Sequence, residues 1–231
     1  MVHVTMLNSS KSHFVSAVRR GFSLVELLAV MTIIAILLSL ASVGVSNIGK
    51  GQGVTSGLSL AEGLLSQARS LAINNNATAR LIIHNDLNDA IPEESKRYRR
   101  MMMVVYKVLD EEGSEVDEWI RAGNPVFLPD SVYFSANLSL TDMRGGDQIP
   151  TDTHQLTSQV ADSHQCFIYE FNGQGILTTP GAGFVLESGP RPPGEPNPII
   201  RKEKDVGGFA ILKNGSTTLI RDITQFGTIG R

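Results

Sequence analysis

Between residues 27 and 49 the chain carries no charged side chain, a run of 23 residues. A helix rises about 1.5 Å per residue, so a run of this length crosses a hydrocarbon layer about 30 Å thick. An ordinary secretory signal has a shorter apolar core, about 7–15 residues, closed by a small-residue cleavage site. Here the run is longer and no A-x-A pattern closes it. A transmembrane helix is therefore predicted. Lys11, Arg19 and Arg20 precede it with no acid among the first 21 residues, and after it only Lys50 appears before Arg69. That asymmetry predicts a cytoplasmic N-terminus and an exported remainder.

One carboxylate, Glu26, stands at the front of the run. A mid-membrane acid costs about 2.5–3.5 kcal/mol on insertion scales, so this one needs a compensating partner. Ser23 and Glu26 form S-x-x-E, a capping box that would satisfy N–H groups of the first helical turn, and the positive end of the helix dipole favours the same carboxylate.

The string Arg20-Gly21-Phe22-Ser23-Leu24-Val25-Glu26-Leu27-Leu28 resembles the class III signal of type IV prepilins and type II secretion pseudopilins. In that family a basic residue and Gly precede the cut, Phe begins the mature chain and Glu is its fifth residue. The resemblance implies cleavage between Gly21 and Phe22 by a prepilin peptidase, N-methylation of Phe22, and assembly with other pilins or pseudopilins through the N-terminal helix. It also implies an inner-membrane assembly platform as partner and residence in the inner membrane, single-pass, before extraction into a filament. Removing the leader takes Lys+Arg from 20 to 17 against 23 acids, a formal charge of −6. Four residues at about 1.5 Å each put Glu26 about 6 Å along the axis from the Phe22 amine. In a staggered parallel stack the amine of one subunit could then neutralise Glu26 of the next.

Beyond the span, glycines at 49, 51, 53 and 57 each cost about 1 kcal/mol relative to Ala in a helix interior, and the helix is expected to weaken there as a hinge. The apolar positions Val54, Leu58, Ala61, Leu65, Ala68 and Ala72, widened by Leu64 and Leu71, then recur at spacings of three and four, the pattern of a core-facing amphipathic helix. Asn74-Asn75-Asn76 ends it. Residues 65–74 also resemble, loosely, the corresponding region of H-type minor pseudopilins.

After Asn76 the signals are those of strands: 79–84, 101–109 returning at 116–120 as a hairpin, 126–128, 131–134, 166–171, 176–177, 184–186, 209–212 and 218–220. Asn172-Gly173 and Asn214-Gly215 supply turns. Two stretches read as loops: 142–163, polar and aperiodic, and 189–198, with five prolines. The expected architecture is α+β, the long N-terminal helix continuing into an amphipathic helix packed on an antiparallel β-sheet domain. The expected division is a cleaved leader (1–21), a transmembrane and filament-core helix (22–48), the glycine-rich hinge with the amphipathic helix (49–76), and the exported β domain (77–231).

A formal charge of −3 gives no bulk attraction to nucleic acid. One basic segment, Lys96-Arg97-Tyr98-Arg99-Arg100, has the composition that grips phosphates and stacks a base. It offers the alternative of a DNA-uptake minor pilin. Glu93 and Glu94 adjoin it, and on a strand Lys96, Tyr98 and Arg100 would face away from Arg97 and Arg99, so nucleic acid is not the expected partner. A single cysteine, Cys166, excludes an intramolecular disulfide and a zinc site built on several thiolates. His154, His164 and Cys166 with Asp152 or Asp162 match no metal motif. Asp142, Asp147 and Asp152 lie in one loop, but calcium wants six to eight oxygens, so three scattered acids specify little. No catalytic motif of hydrolase, metalloprotease or phosphate-binding type is present. The expectation is a structural subunit, without catalytic residues, cofactor or metal.

Overall fold

The apolar stripe after residue 53 is the buried face of a helix in the structure, a computed structural model that describes residues 24–143, 146–156, 163–202 and 205–220, with the side chains of residues 35–52 outside the description. The chain forms two compact units, Met1–Val45 and Ser46–Arg231. Helix α1 is assigned over Leu24–Asn75. Within the second unit Val54, Leu58, Ala61, Leu65, Ala68 and Ala72 are buried, with Leu64 and Leu71 packed beside them. Asn76, at a left-handed φ of 49°, stops the helix. The Ala77 N–H reaches back to the Ala72 carbonyl and the Asn76 N–H to that of Ile73, so a Schellman-type end satisfies carbonyls the last turn leaves open.

The expected antiparallel β domain packed on this helix consists of two sheets. The first runs β3-β2-β1-β7-β6, built from β1 (Ala79–His84), β2 (Met101–Tyr106), β3 (Ile120–Arg121), β6 (Thr151–Gln155) and β7 (Ser163–Phe171), with β4 (Val126–Phe127) also pairing with β2. The second runs β10-β9-β8-β5, from β5 (Val132–Phe134), β8 (Gly183–Ser188), β9 (Val206–Ile211) and β10 (Thr217–Ile220). Leu81 and Ile83 of β1, Phe167 and Tyr169 of β7, Phe134, Phe184, Leu186 and Phe209 share one core with the helix stripe. Phe184 stacks on Phe209 at 5.1 Å, and Tyr169 donates its hydroxyl to the Gly183 carbonyl across the sheets at 2.7 Å.

Alternate residues of the first sheet face away from that core, and there Ile82, Met101, Met103, Val105, Cys166 and Ile168 form a second cluster with Leu156 and Trp119. Burial on both faces explains why β2, MMMVVY, and the Leu81–Ile83 stretch of β1 read as apolar runs rather than alternating ones.

Several expectations change. The glycine-rich stretch from 49 to 57 does not open: α1 stays helical through it. A Cβ on Gly57 would lie 2.7 Å from Leu186 Cδ1 and 3.1 Å from Leu128 Cδ2, and one on Gly207 of β9 would lie 3.0 Å from Val54 Cγ1. These glycines give the helix close approach to the second sheet, and the packing offsets their propensity cost. The expected loop 142–163 contains β6, an exposed polar edge strand whose sequence TDTHQ has no apolar alternation to betray it. The hairpin expected over 101–109 and 116–120 narrows to the short β2–β3 pair and a Leu109–Glu115 bridge, and 176–177 contributes only a bridge to Phe171.

Candidate functional site

In the first unit, the described side chains of α1 point into open space on every side. Leu24 is 81% exposed, Val25 76%, and Leu27, Leu28, Val30, Met31, Ile33 and Ile34 between 44% and 61%. Glu26, in the first turn, is the only charged residue among residues 24–34. Thr32 donates its hydroxyl to the Leu28 and Ala29 carbonyls of its own helix at 2.9 and 2.8 Å, leaving no polar demand on the surroundings. A helix apolar all round is a buried or membrane helix. Gly21, Phe22 and Ser23, and with them the capping box, lie outside the described residues. Among the described residues no helix is long and apolar enough to cross a membrane. Much of the expected span, from residue 35 on, carries side chains outside that description.

The basic segment precedes β2 and is itself not a strand. Lys96 and Arg97 close a short helix, α2 (Pro92–Arg97), and Arg99 turns the chain at φ 52° before β2 begins. Pro92 at the helix start presets φ for the first turn, and the left-handed Arg99 breaks any strand alternation. Lys96 pairs with Glu93 at 3.0 Å, Arg97 with Glu94 at 2.7 Å and Arg100 with Asp130 at 2.7 Å. Arg99 is buried and donates to Asn85 Oδ1, the Pro196 carbonyl and Asn197 Oδ1. Tyr98, 2% exposed, lies between the guanidinium groups of Arg99 and Arg191 at 5.0 and 5.2 Å. Asp89 secures this arrangement by accepting from Arg191, Ser95 and the Gly194 N–H. The hydrogen bond from Arg191, then those from Gly194 and Ser95, hold its carboxyl well below the usual range. Tyr98 is thus buried, and each of the four cations has an acceptor within the domain.

The sequence-predicted donors separate on the outer face of the first sheet. His154 packs edge-on against Trp119 at 5.3 Å; burial, then the Arg80 charge, lowers its pKa to about 4. Asp152 accepts from Arg80 at 2.6 Å. Burial pushes the Cys166 thiol up to about 12. Asp162 lies outside the described residues. His164 joins two residues the sequence did not single out, His84 and Glu94. His84 Nε2 lies 3.2 Å from His164 Nδ1 and 3.3 Å from Glu94 Oε2, and His164 Nδ1 lies 3.9 Å from that same oxygen. Among the described residues this is the one group of three or more such donors able to hold a metal ion. Asp142, Asp147 and Asp152 form no such group there.

The family described as the prokaryotic N-terminal methylation motif matches residues 17–42. The chain carries this methylation motif. Its matched stretch includes Gly21, Phe22 and Glu26, together with the exposed apolar turns of α1. Among solved structures the chain is similar to the minor pseudopilin EpsH from the type 2 secretion system of Vibrio cholerae, at 10% identity and a TM-score of 0.35, over 72% of this chain and 95% of that one. No curated protein matches the chain. The motif lies entirely in the first 42 residues, so it says nothing of the histidine group. His84 ends a buried strand with no local pattern, and only the register of β1 on β7 brings His164 to it.

Proposed function

We propose that the chain is a pilin-like structural subunit, of the minor pseudopilin type, of a type II secretion pseudopilus or a type IV pilus. The observation that carries this reading is the methylation motif, whose stretch over residues 24–34 is helical with apolar side chains exposed on every side and Glu26 the lone charge among them. Eight large apolar side chains there, at about 1.5–3 kcal/mol each for full burial, oppose exposure to water by something on the order of 10 kcal/mol. Lipid or a bundle of like helices meets that demand.

Transfer from lipid to a helix bundle gains little from the hydrophobic effect, since lipid tails are already apolar. Charge matching can supply the selectivity. After cleavage behind Gly21, the amine of Phe22 becomes the one cation at the helix start, and Glu26 of a neighbouring subunit is its complement. Two such charges 4 Å apart attract by about 4 kcal/mol at an effective dielectric of 20. The helix sits in the inner membrane with its N-terminus cytoplasmic, and the β domain is exported and then drawn into the filament with the helix. The prepilin peptidase and the assembly platform are the partners this requires. The two-sheet domain supplies the subunit's outer surface, and its role is structural rather than catalytic.

DNA uptake through residues 96–100 gains nothing from the geometry, since Tyr98 and Arg99 are buried and the remaining cations are ion-paired. N-terminal sequencing and intact mass of the membrane-fraction protein, made with and without a prepilin peptidase, test the main reading. A chain starting at N-methylated Phe22 only when the peptidase is present supports it. A chain left uncut, or cut near Ala41, overturns it.

A further inference from the structure

Three donors that are far apart in sequence converge beneath α2. β1 pairs with β7 so that His84 lies opposite Cys166. Side chains alternate along a strand, so His164, two residues before Cys166, shares the face of His84. Glu94 reaches the pair from α2. The Arg99 N–H donates to the His84 carbonyl at 2.8 Å, and Arg97 holds the other Glu94 oxygen at 2.7 Å. The backbone of one donor and the carboxylate of another are thus fixed by neighbours outside the group. Asp86 borders it, with Oδ2 3.1 Å from His164 Nδ1 and accepting from the Gln165 N–H at 3.0 Å.

Protons alone serve this arrangement badly. If His84 Nε2 carries its hydrogen toward His164, the His164 Nδ1 lone pair also confronts Asp86. If His164 Nδ1 donates to Asp86 and His84 Nε2 to Glu94, two N–H groups oppose each other at 3.2 Å. The inward Glu94 oxygen is buried and receives no hydrogen bond. A cation between the three atoms uses every lone pair at once. Ligands about 2.0–2.1 Å from a tetrahedral zinc ion lie about 3.3–3.4 Å from one another; the observed separations are 3.2, 3.3 and 3.9 Å.

We propose that His84, Glu94 and His164 form a binding site for a divalent transition-metal ion, zinc in the first instance. Two imidazoles and a carboxylate suit zinc, leaving a fourth position for Asp86 or water. Burial, then the neighbouring His164, keeps the pKa of His84 below the ordinary imidazole value, which favours the neutral ligand form. The ion has a structural task. α2 is six residues long and buries none of them, far short of the length at which a helix holds itself. The ion ties it to β1 and β7. This inference is independent of filament assembly.

The test uses the full chain in detergent with Zn2+ alone, reading metal content after gel filtration and affinity by competition with a chromophoric chelator. One Zn2+ per chain is expected, lost in Glu94→Gln and His164→Gln and retained in His154→Gln. Arg97→Ala removes only the group that orients Glu94 and should weaken binding by about 10–100-fold. Arg97 is only partly buried, so this variant decides the matter should the nearly isosteric Glu94→Gln fail to fold. Four-coordinate binding further predicts the intense visible absorption of tetrahedral Co2+ on substitution. No saturable Zn2+ binding, or binding unchanged in the Glu94, His164 and Arg97 variants, overturns the proposal.

Discussion

Replacing Gly57 by Ala should destabilise the protein, although the same exchange at Gly63, six residues further along the helix, should stabilise it. Both glycines are interior to α1, so both exchanges gain about 1 kcal/mol of helix propensity. They differ only in what the new methyl meets. At Gly63 nothing lies within 4 Å of the added Cβ. At Gly57 the methyl would sit 2.7 Å from Leu186 Cδ1, 3.1 Å from Leu128 Cδ2 and 3.6 Å from Pro129 Cδ, where ordinary carbon contacts are about 3.5–4.0 Å. Leu186 and Leu128 are 0% and 1% exposed, so neither has solvent to swing into, and overpacking of such a core costs about 1–3 kcal/mol. The net effect at Gly57 runs from near zero to a loss of about 2 kcal/mol, against a gain of up to about 1 kcal/mol at Gly63. Because propensity cancels between the two variants, their difference isolates the helix–sheet contact. Urea titration of the full chain in detergent, followed by circular dichroism, measures it. If Gly57→Ala proves as stable as Gly63→Ala, the close approach is not what requires glycine there, and the account of the unbroken helix fails.

The other expectations concern single side chains. Glu26→Ala should insert in the membrane as well as wild type but fail to co-sediment with filaments; equal incorporation would refute its charge-matching role. Asp89→Ala removes the acceptor shared by Arg191, Ser95 and the Gly194 N–H, and hydrogen bonds to charged groups contribute about 1.5–3 kcal/mol. Hydrogen exchange should accelerate over residues 189–198 in that variant, and unchanged protection would count against the strut. Glu187 is buried and accepts from the Ser135 hydroxyl at 2.7 Å, and burial raises its pKa. The native state therefore keeps this proton to higher pH than the unfolded chain does. Its contribution is full below the ordinary glutamate range and declines as pH climbs through the raised native pKa. Glu187→Gln should remove that decline, seen as a flatter dependence of the urea midpoint on pH above the ordinary glutamate range; an unaltered slope would exclude Glu187 as its source.

The elements legible in the sequence were those whose signal is local. The charge-free run and Glu26 with its preceding Arg-Gly-Phe are one-dimensional features, and the methylation motif matched over residues 17–42 is read from the same string. The stripe from Val54 to Ala72 is local as well, because helical periodicity repeats within a few residues whatever the helix packs on. The Asn76 stop and the strand at 79–84 followed from the same kind of signal.

Tertiary structure decided the rest. β6 is a strand because β7 offers it an edge, not because TDTHQ favours one. The glycines at 53 and 57 read as a weak point by propensity, which counts only the helix's own backbone; packing against Leu186, Leu128 and Val132 gives them a different purpose. The basic segment looked like one surface while its partners Asp130, Asn197 and Arg191 were distant in the chain. His84 and His164, 80 residues apart, become neighbours at 3.2 Å only through the register of β1 on β7. Local sequence determines which segments can be helix, strand or membrane-seeking, since those preferences act over a few residues. Which side chains meet depends on strand pairing over long separations, where the free energy belongs to the assembled core and no short stretch carries its signature.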